Sequence, residues 1–193
     1  IVFGNNDLPG VMLASAAQRL IYRYAVKPMR SAVVFTANDE GYEAALDLCA
    51  NDIRVDAVVD LRSGAGAAGA ATAAKLTQTG VRIFSGYGLL EARQSGTRVG
   101  AAVICPLLAN GELDAARQEI IASDGVLMSV GYAPAAALLY QAGAKMRFDE
   151  ALQQFVPDTL PPGIFAAGRV NGVYGIEDRQ RDGVRAGVEA ARY

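Results

Sequence analysis

The chain contains no histidine and only two cysteines in 193 residues. Without histidine there is no Ser-His-Asp triad, no His-ligated zinc and no histidyl flavin linkage. Cys49 and Cys105 form neither a C-x-x-C pair nor a metal-ligand spacing. They are expected to be buried, reduced thiols of a cytoplasmic chain. No apolar run approaches the length of a membrane span, and no stretch has the make-up of a signal peptide. Charge of one sign is also missing: the net charge is -2, with no Lys/Arg cluster. That excludes the electrostatic footprint of a nucleic-acid binder. What remains is a globular chain, 52% hydrophobic and 20% charged, of a size between one domain and two.

A more specific absence lies in V-V-F-T-A-N-D-E-G-Y-E-A-A, residues Val33 to Ala45. An apolar β-like run enters this turn and a helix leaves it near Asp39. A second apolar run ends in Asp60 about 20 residues later, the spacing of a dinucleotide-binding βαβ unit. In a working turn, G-x-G-x-x-G brings backbone N–H groups and the helix N-terminus to a pyrophosphate. Here Thr36 and Asn38 stand where the first two glycines belong, and only Gly41 remains. Asp39 and Glu40 place two carboxylates at the positive end of the helix dipole, where they repel an anion. The fold signal is strong and the binding signal weak.

Along the chain, Val11 to Val26 is apolar at helical spacing, with Met12, Ala16, Leu20 and Tyr24 on one stripe, and Lys27-Pro28 stops it. Tyr22 and Tyr24 are read as packing and surface residues. Asn5-Asn6-Asp7 reads as a turn. A β-α-β unit follows: strand 32–36, helix 39–50, strand 55–60. An alanine-rich helix is expected over 65–78, and a third parallel strand over 82–85. Leu89 to Arg93 and Arg98 to Pro106 read as an antiparallel excursion around Gln94-Ser95-Gly96-Thr97. Gln118 to Ile121 reads as a short strand. Asp124 leads into a buried strand within Gly125 to Pro134, and Ala135 to Ala142 is a short helix. Asp149-Glu150 are adjacent rather than convergent, so they suit a helix N-terminus better than acid/base chemistry. A final helix runs from about Ile176 to Arg192.

The order of these pieces resembles flavoproteins with two dinucleotide-binding domains, the NAD(P)-type domain being inserted into the FAD-type one. D-G-V-L-M-S-V-G-Y-A-P (Asp124 to Pro134) matches the family's return strand, and G-I-F-A-A-G (Gly163 to Gly168) its last strand. The resemblance implies a fold of class α/β: a three-layer Rossmann-like domain over 31–124 inserted into part of an FAD-type domain formed by 1–30 and 125–193. I-V-F-G-N-N-D-L-P-G-V-M-L-A-S-A (Ile1 to Ala16), F-T-A-N-D-E-G-Y (Phe35 to Tyr42) and F-D-E-A-L-Q-Q-F-V-P (Phe148 to Pro157) are similar to the α subunits of heterotetrameric sarcosine oxidases. With its opening at Ile1 in mid-domain, the chain is expected to be part of a larger subunit. The resemblance implies NAD in the complete subunit and FAD and FMN in the complex, held mainly by a partner subunit. It also implies β, γ and δ partner subunits.

Two nucleotide sites are candidates. The insert turn offers Thr36, Asn38, Gly41 and Asp60. There Asp60 is placed to take a ribose hydroxyl, or else to point to solvent or to Arg62, and the Thr36 hydroxyl to donate to a phosphate oxygen. The second site is the FAD-type one, with Gly168, Arg169, Val173, Tyr174 and Gly175. The family's A-G-D places an aspartate on the flavin ribityl chain, and Arg169 stands in its place. Arginine only donates, so it suits a phosphate better than a polyol. The alternative is that Arg169 pairs with Glu177 or Asp178. Three functions are therefore compared. The first is a non-catalytic nucleotide-binding segment of a sarcosine-oxidase-type α subunit. The second is a truncated NAD(P)H-dependent FAD reductase. The third is an interaction domain whose nucleotide sites have decayed.

Overall fold

The computed structural model describes residues 3–66, 69–131, 133–152 and 154–193. It forms two compact units, Ile1–Gly131 and Tyr132–Tyr193. The first opens with strand β1 (Val11–Leu13) and helix α1 (Ala14–Tyr24). Strand β2 (Ser31–Thr36), helix α2 (Glu40–Ala50), β3 (Arg54–Asp60), α3 (Ala70–Gln78) and β4 (Arg82–Ser85) follow. Then come β5 (Tyr87–Ser95), β6 (Arg98–Pro106), β7 (Glu119–Ala122) and β8 (Val126–Ser129). The five-stranded sheet has the order β1-β8-β2-β3-β4 and is parallel throughout. β5, β6 and β7 make a separate antiparallel sheet.

Alternation along β2 explains how three layers share one strand. Every residue of Ser31–Thr36 is buried, as expected of a parallel strand covered on both faces. Ala32 and Val34 join the core beneath the helices, with Tyr42, Leu48, Val58, Leu76 and Leu127. Val33 and Phe35 face the other way and pack with Phe3, Leu89, Val99, Ala102, Ile104 and Ile121 against the antiparallel sheet. The result is helices on a parallel sheet on an antiparallel sheet, the expected α/β class.

The second unit holds helix α4 (Ala137–Gln141), strands β9 (Lys145–Asp149) and β10 (Gln154–Thr159), a 3-10 turn over Gly168–Asn171, and helix α5 (Ile176–Arg192). β9 and β10 pair as an antiparallel hairpin.

Several expectations change. The apolar run from Val11 starts as a strand: Val11, Met12 and Leu13 pair with Val126, Leu127 and Met128 before the helix begins. β1 and β8, which lie outside the expected limits 30/31 and 124/125, are strands of the same sheet as β2, β3 and β4. The alanine-rich helix is shorter than 65–78, and Ala67 and Ala68 of that range lie outside the described residues. Asp149 starts no helix. It ends β9, and its Oδ1 accepts the Ala151 and Leu152 N–H groups at 3.1 Å each, so the same capping chemistry closes a hairpin turn. Tyr22 and Tyr24 are exposed and Cys105 is buried, whereas Cys49 is half-buried rather than buried. Burial pushes both thiols above their ordinary values, the condition of an unreactive cysteine.

The retained glycine of the turn has a packing reason. A Cβ on Gly41 would stand 2.2 Å from Thr36 Oγ1 and 2.4 Å from Thr36 Cβ, so α2 approaches β2 too closely for any side chain. Gly41→Ala is expected to destabilise the chain by about 1–3 kcal/mol through overpacking. Thr36→Gly in the same background removes both clashing atoms and should recover part of that loss. Urea midpoints of the two single variants and the double variant measure both effects.

Candidate functional site

The carboxyl ends of β2 and β3, with the first turn of α2, form the crevice in which a dinucleotide sits in folds of this kind. The structure brings Thr36, Asn38, Gly41 and Asp60 together there, but turns their polar groups on one another. The buried Thr36 hydroxyl lies 2.7 Å from the Asn38 carbonyl oxygen and 3.0 Å from that of Ser129, and it accepts the Asn38 N–H at 3.1 Å. Asn38 Oδ1 accepts the Ser129 hydroxyl at 2.8 Å and the Gly41 N–H at 3.3 Å. The N–H that a phosphate would seek is thus held by a side-chain amide.

Asp60 is fully buried. Its Oδ2 accepts the Tyr42 hydroxyl at 2.8 Å and an Arg62 terminal N–H at 2.9 Å. Its Oδ1 accepts the Arg62 backbone N–H at 2.9 Å and the Arg62 Nε at 3.1 Å. Of the alternatives for this residue, the structure shows the one directed to Arg62. A forked guanidinium, a phenol and a backbone amide thus meet the oxygens of this enclosed carboxylate. Burial, and next the hydrogen bond to Asp60, push the Tyr42 phenol far above its ordinary range.

The residue that sequence reading placed only in part is Asp39. Its carboxylate makes no bond to the α2 N–H groups. It reaches across to the glycine-rich segment before α3, where Oδ1 accepts the Gly66 N–H at 2.8 Å and Oδ2 the Gly69 N–H at 3.0 Å. Arg62 bridges the two acids, 2.9 Å from Asp39 Oδ1 and 2.9 Å from Asp60 Oδ2. Glu43, also in the first turn of α2, accepts the Thr72 hydroxyl at 2.6 Å. The chain therefore supplies its own anion to the amides at the head of α3. A Cβ at Gly66 or Gly69 would meet that carboxylate at 2.6 or 2.7 Å, which leaves no space for a ligand phosphate between them.

The second candidate site lies in the unit Tyr132–Tyr193. Gly168 opens the 3-10 turn at φ 78 and Gly172 closes it at φ 79, conformations that suit glycine. Asp182 of α5 accepts the Gly168 N–H at 2.7 Å and the Asn171 amide at 3.2 Å, and Arg185 forks its Oδ1 at 2.7 and 3.0 Å. The Val173 N–H donates back to the Gly168 carbonyl at 3.2 Å. The Arg169 guanidinium lies over the Tyr174 ring, 5.8 Å from its centroid, and the Tyr174 hydroxyl donates to Gln154. Gly175 heads the 17-residue helix α5. Beside it opens a cavity of about 660 Å³ lined by Val173, Tyr174, Asp178, Arg181, Asp182 and Arg185, among others. Its two arginines are each paired with a carboxylate, Arg181 with Asp178 and Arg185 with Asp182, and Glu177 and Asp178 occupy the first turn of α5, so the charges of this wall are balanced. Among the described residues no cluster of three metal-ligating side chains occurs, and no helix is long and apolar enough to cross a membrane.

Asp39 titrates in a known direction. Partial burial opposes its ionisation, but the Gly66 amide, Arg62 and the Gly69 amide together hold the carboxyl below its ordinary value. A group held low stabilises the fold while ionised, and that contribution disappears as pH falls through its folded-state value. Asp39→Asn is therefore expected to lose about 1 kcal/mol near neutral pH, given its partial exposure. The difference from the parent chain should shrink as the pH falls toward about 3. Urea unfolding at the two pH values measures it.

No family model matches the chain. Among curated proteins it is similar to the sarcosine oxidase α subunit of Corynebacterium sp. (strain P-1), 32% identical over 99% of this chain and 19% of that protein. The α subunit from Rhizobium meliloti (strain 1021) is 32% identical over 91% of this chain and 16% of that protein. The chain thus spans about a fifth of the length of the curated relatives it matches. Among solved structures, Lactococcus lactis thioredoxin reductase superposes with a TM-score of 0.68 at 16% identity, over 100% of this chain and 61% of that one. The thioredoxin reductase of T. acidophilum gives 0.62 at 19% identity, over 95% of this chain and 56% of that one. The resemblance carried by the opening segment and the F-T-A-N-D-E-G-Y turn is borne out: the chain is related along nearly its whole length to a part of sarcosine oxidase α subunits, and its fold is that of the FAD/NAD(P)-binding reductases.

Proposed function

We propose that this chain is a non-catalytic, nucleotide-binding segment of the α subunit of a sarcosine-oxidase-type complex. The observation that carries this reading is the Asp39 carboxylate seated on the Gly66 and Gly69 amides and paired with Arg62. It fills the anion position of the insert crevice from within, so the residues there do not fit a dinucleotide. We therefore assign nucleotide binding to the unit Tyr132–Tyr193, where Arg169 is the donor that would meet a pyrophosphate. Gly168, Arg169, Val173, Tyr174 and Gly175 would form one wall, with Arg181 and Arg185 lining the adjoining cavity. Arg169 offers donors only, which favours the phosphates of NAD over the ribityl chain of FAD. On this reading the domain limits follow function: 31–124 with its flanking strands is scaffold, and the remainder belongs to the FAD-type domain.

In the complex proposed, bound flavin would supply the redox chemistry for oxidising the N-methyl C–H of sarcosine to an imine, with oxygen as the final acceptor giving peroxide. The one-carbon unit would then pass to tetrahydrofolate, or leave as formaldehyde once water hydrolyses the imine. FAD and FMN would be held mainly by the β subunit, with γ and δ subunits completing the assembly. This chain's own residues would orient and retain NAD and carry no step of the oxidation.

Mass spectrometry of nucleotides released from the denatured complete subunit tests the assignment. NAD is expected, and Arg169→Glu should lower its occupancy at least several-fold while Thr36→Val leaves it unchanged. FAD would favour a truncated reductase, and no nucleotide would favour an interaction domain. Sarcosine-dependent peroxide release by the isolated chain would overturn the non-catalytic reading.

A further inference from the structure

Thr36, Asn38 and Asp60 mark the carboxyl ends of the parallel strands. At the opposite end of the same sheet lies a cavity of about 460 Å³. Its lining comes from places remote in sequence. Arg30 and Ser31 stand at the start of β2, Arg54 at the start of β3, Ser95 at the end of β5, Arg98 at the start of β6 and Ser123 just after β7. They meet because the β5–β6 turn and the β7–β8 connection of the antiparallel layer fall over the amino ends of β2 and β3. The Ser123 N–H bonds the Gly100 carbonyl at 3.1 Å and the Ser31 hydroxyl lies 3.4 Å from that of Ser123, which fixes the rim.

The charges at this rim do not cancel. Three arginines, Arg30, Arg54 and Arg98, line the cavity with a single carboxylate, Asp124. That carboxylate is already occupied: it accepts the Ser31 N–H at 2.7 Å, the Arg30 N–H at 3.1 Å and the Arg30 Nε at 3.3 Å. Arg54 gives its Nε to Asp56 at 2.6 Å. Both pairings use the Nε edge of a guanidinium, and a guanidinium carries five donors. Arg98 has no carboxylate partner among the described residues. The volume falls in the range of about 300–1,000 Å³ typical of small-ligand sites. Forked guanidinium donors match the paired oxygens of phosphate and carboxylate, and serine hydroxyls add neutral donors beside them.

We propose that this cavity binds a small multivalent oxyanion, a phosphoryl group or a carboxylate cluster, with Arg30, Arg54 and Arg98 as its charge contacts and the hydroxyls of Ser31, Ser95 and Ser123 beside them. It is a second ligand site, at the pole of the sheet opposite the crevice, and it stands whether or not NAD binds near α5.

Titration of the chain with inorganic phosphate and, separately, with citrate tests it. Amide resonances are followed at constant ionic strength. Saturable shifts confined to Ser31, Ser95, Arg98, Gly100, Ser123 and Asp124 are expected with at least one of the two anions. A response to phosphate alone assigns a phosphoryl ligand, and a response to citrate alone or to both assigns a carboxylate-tolerant one. Arg98→Glu, which breaks no ion pair, should weaken binding at least tenfold with the remaining resonances in place. Arg98→Gln should weaken it less. Arg23→Glu on the exposed side of α1 makes the same change in net charge and should alter the affinity less than twofold. Shifts that never saturate, that spread over unrelated arginines, or that survive Arg98→Glu would overturn the proposal. So would an equal loss from Arg23→Glu.

Discussion

One guanidinium organises the first unit. Arg62 lies between Asp60, buried at the end of β3, and Asp39, at the head of α2, and each acid carries further donors from a third place. Removing a carboxylate from water costs several kcal/mol unless its lone pairs are met. Here they are met by a fork, a phenol and three backbone amides, so the burial is tolerated. The geometry that follows is specific. β3, α2 and the start of α3 are held at one point, where most folds of this type leave a gap for a pyrophosphate. The crevice of the first unit is thus completed by the chain's own side chains.

This explains why the two units of the chain differ in chemical character. The first has two cores, one on either face of a fully buried central strand, and its polar groups at the crevice are satisfied internally. The second carries a cavity beside a long helix with arginines at its wall. Asp182 moderates that wall: Arg185, then the Gly168 amide, draw its carboxyl below the ordinary range. An anion arriving there meets a backbone N–H already committed to Asp182, and exchange of that partner is the price of entry.

The α/β class was legible because apolar runs over 32–36 and 55–60 flank a helix at the spacing of a βαβ unit, and the layers followed from the resemblance that the order of the pieces carries. The weakness of the insert turn was legible too, since missing glycines and an acidic helix start are local signals. What the local pattern did not disclose was where Asp39 would point. Its partners Gly66 and Gly69 lie beyond an intervening strand, and a glycine-rich loop reads equally well as the start of an alanine helix. β1 was hidden because three apolar residues in a row satisfy both the helical and the extended period. The β9–β10 hairpin was missed because an aspartate that caps a tight turn looks the same in sequence as one that caps a helix.

The pairing of β8 between β1 and β2 has a kinetic meaning. On a ribosome, β2 emerges with one edge unsatisfied, and β3 and β4 can add only to its other side. The vacant edge waits until the entire antiparallel meander has been synthesised and β8 slides in, bringing β1 with it. Loop entropy makes such a late closure only logarithmically harder with chain length, but the exposed backbone meanwhile invites intermolecular pairing. Nascent chains released before Ser129 should therefore be the aggregation-prone species, and chaperone demand should fall abruptly once that strand has left the exit tunnel.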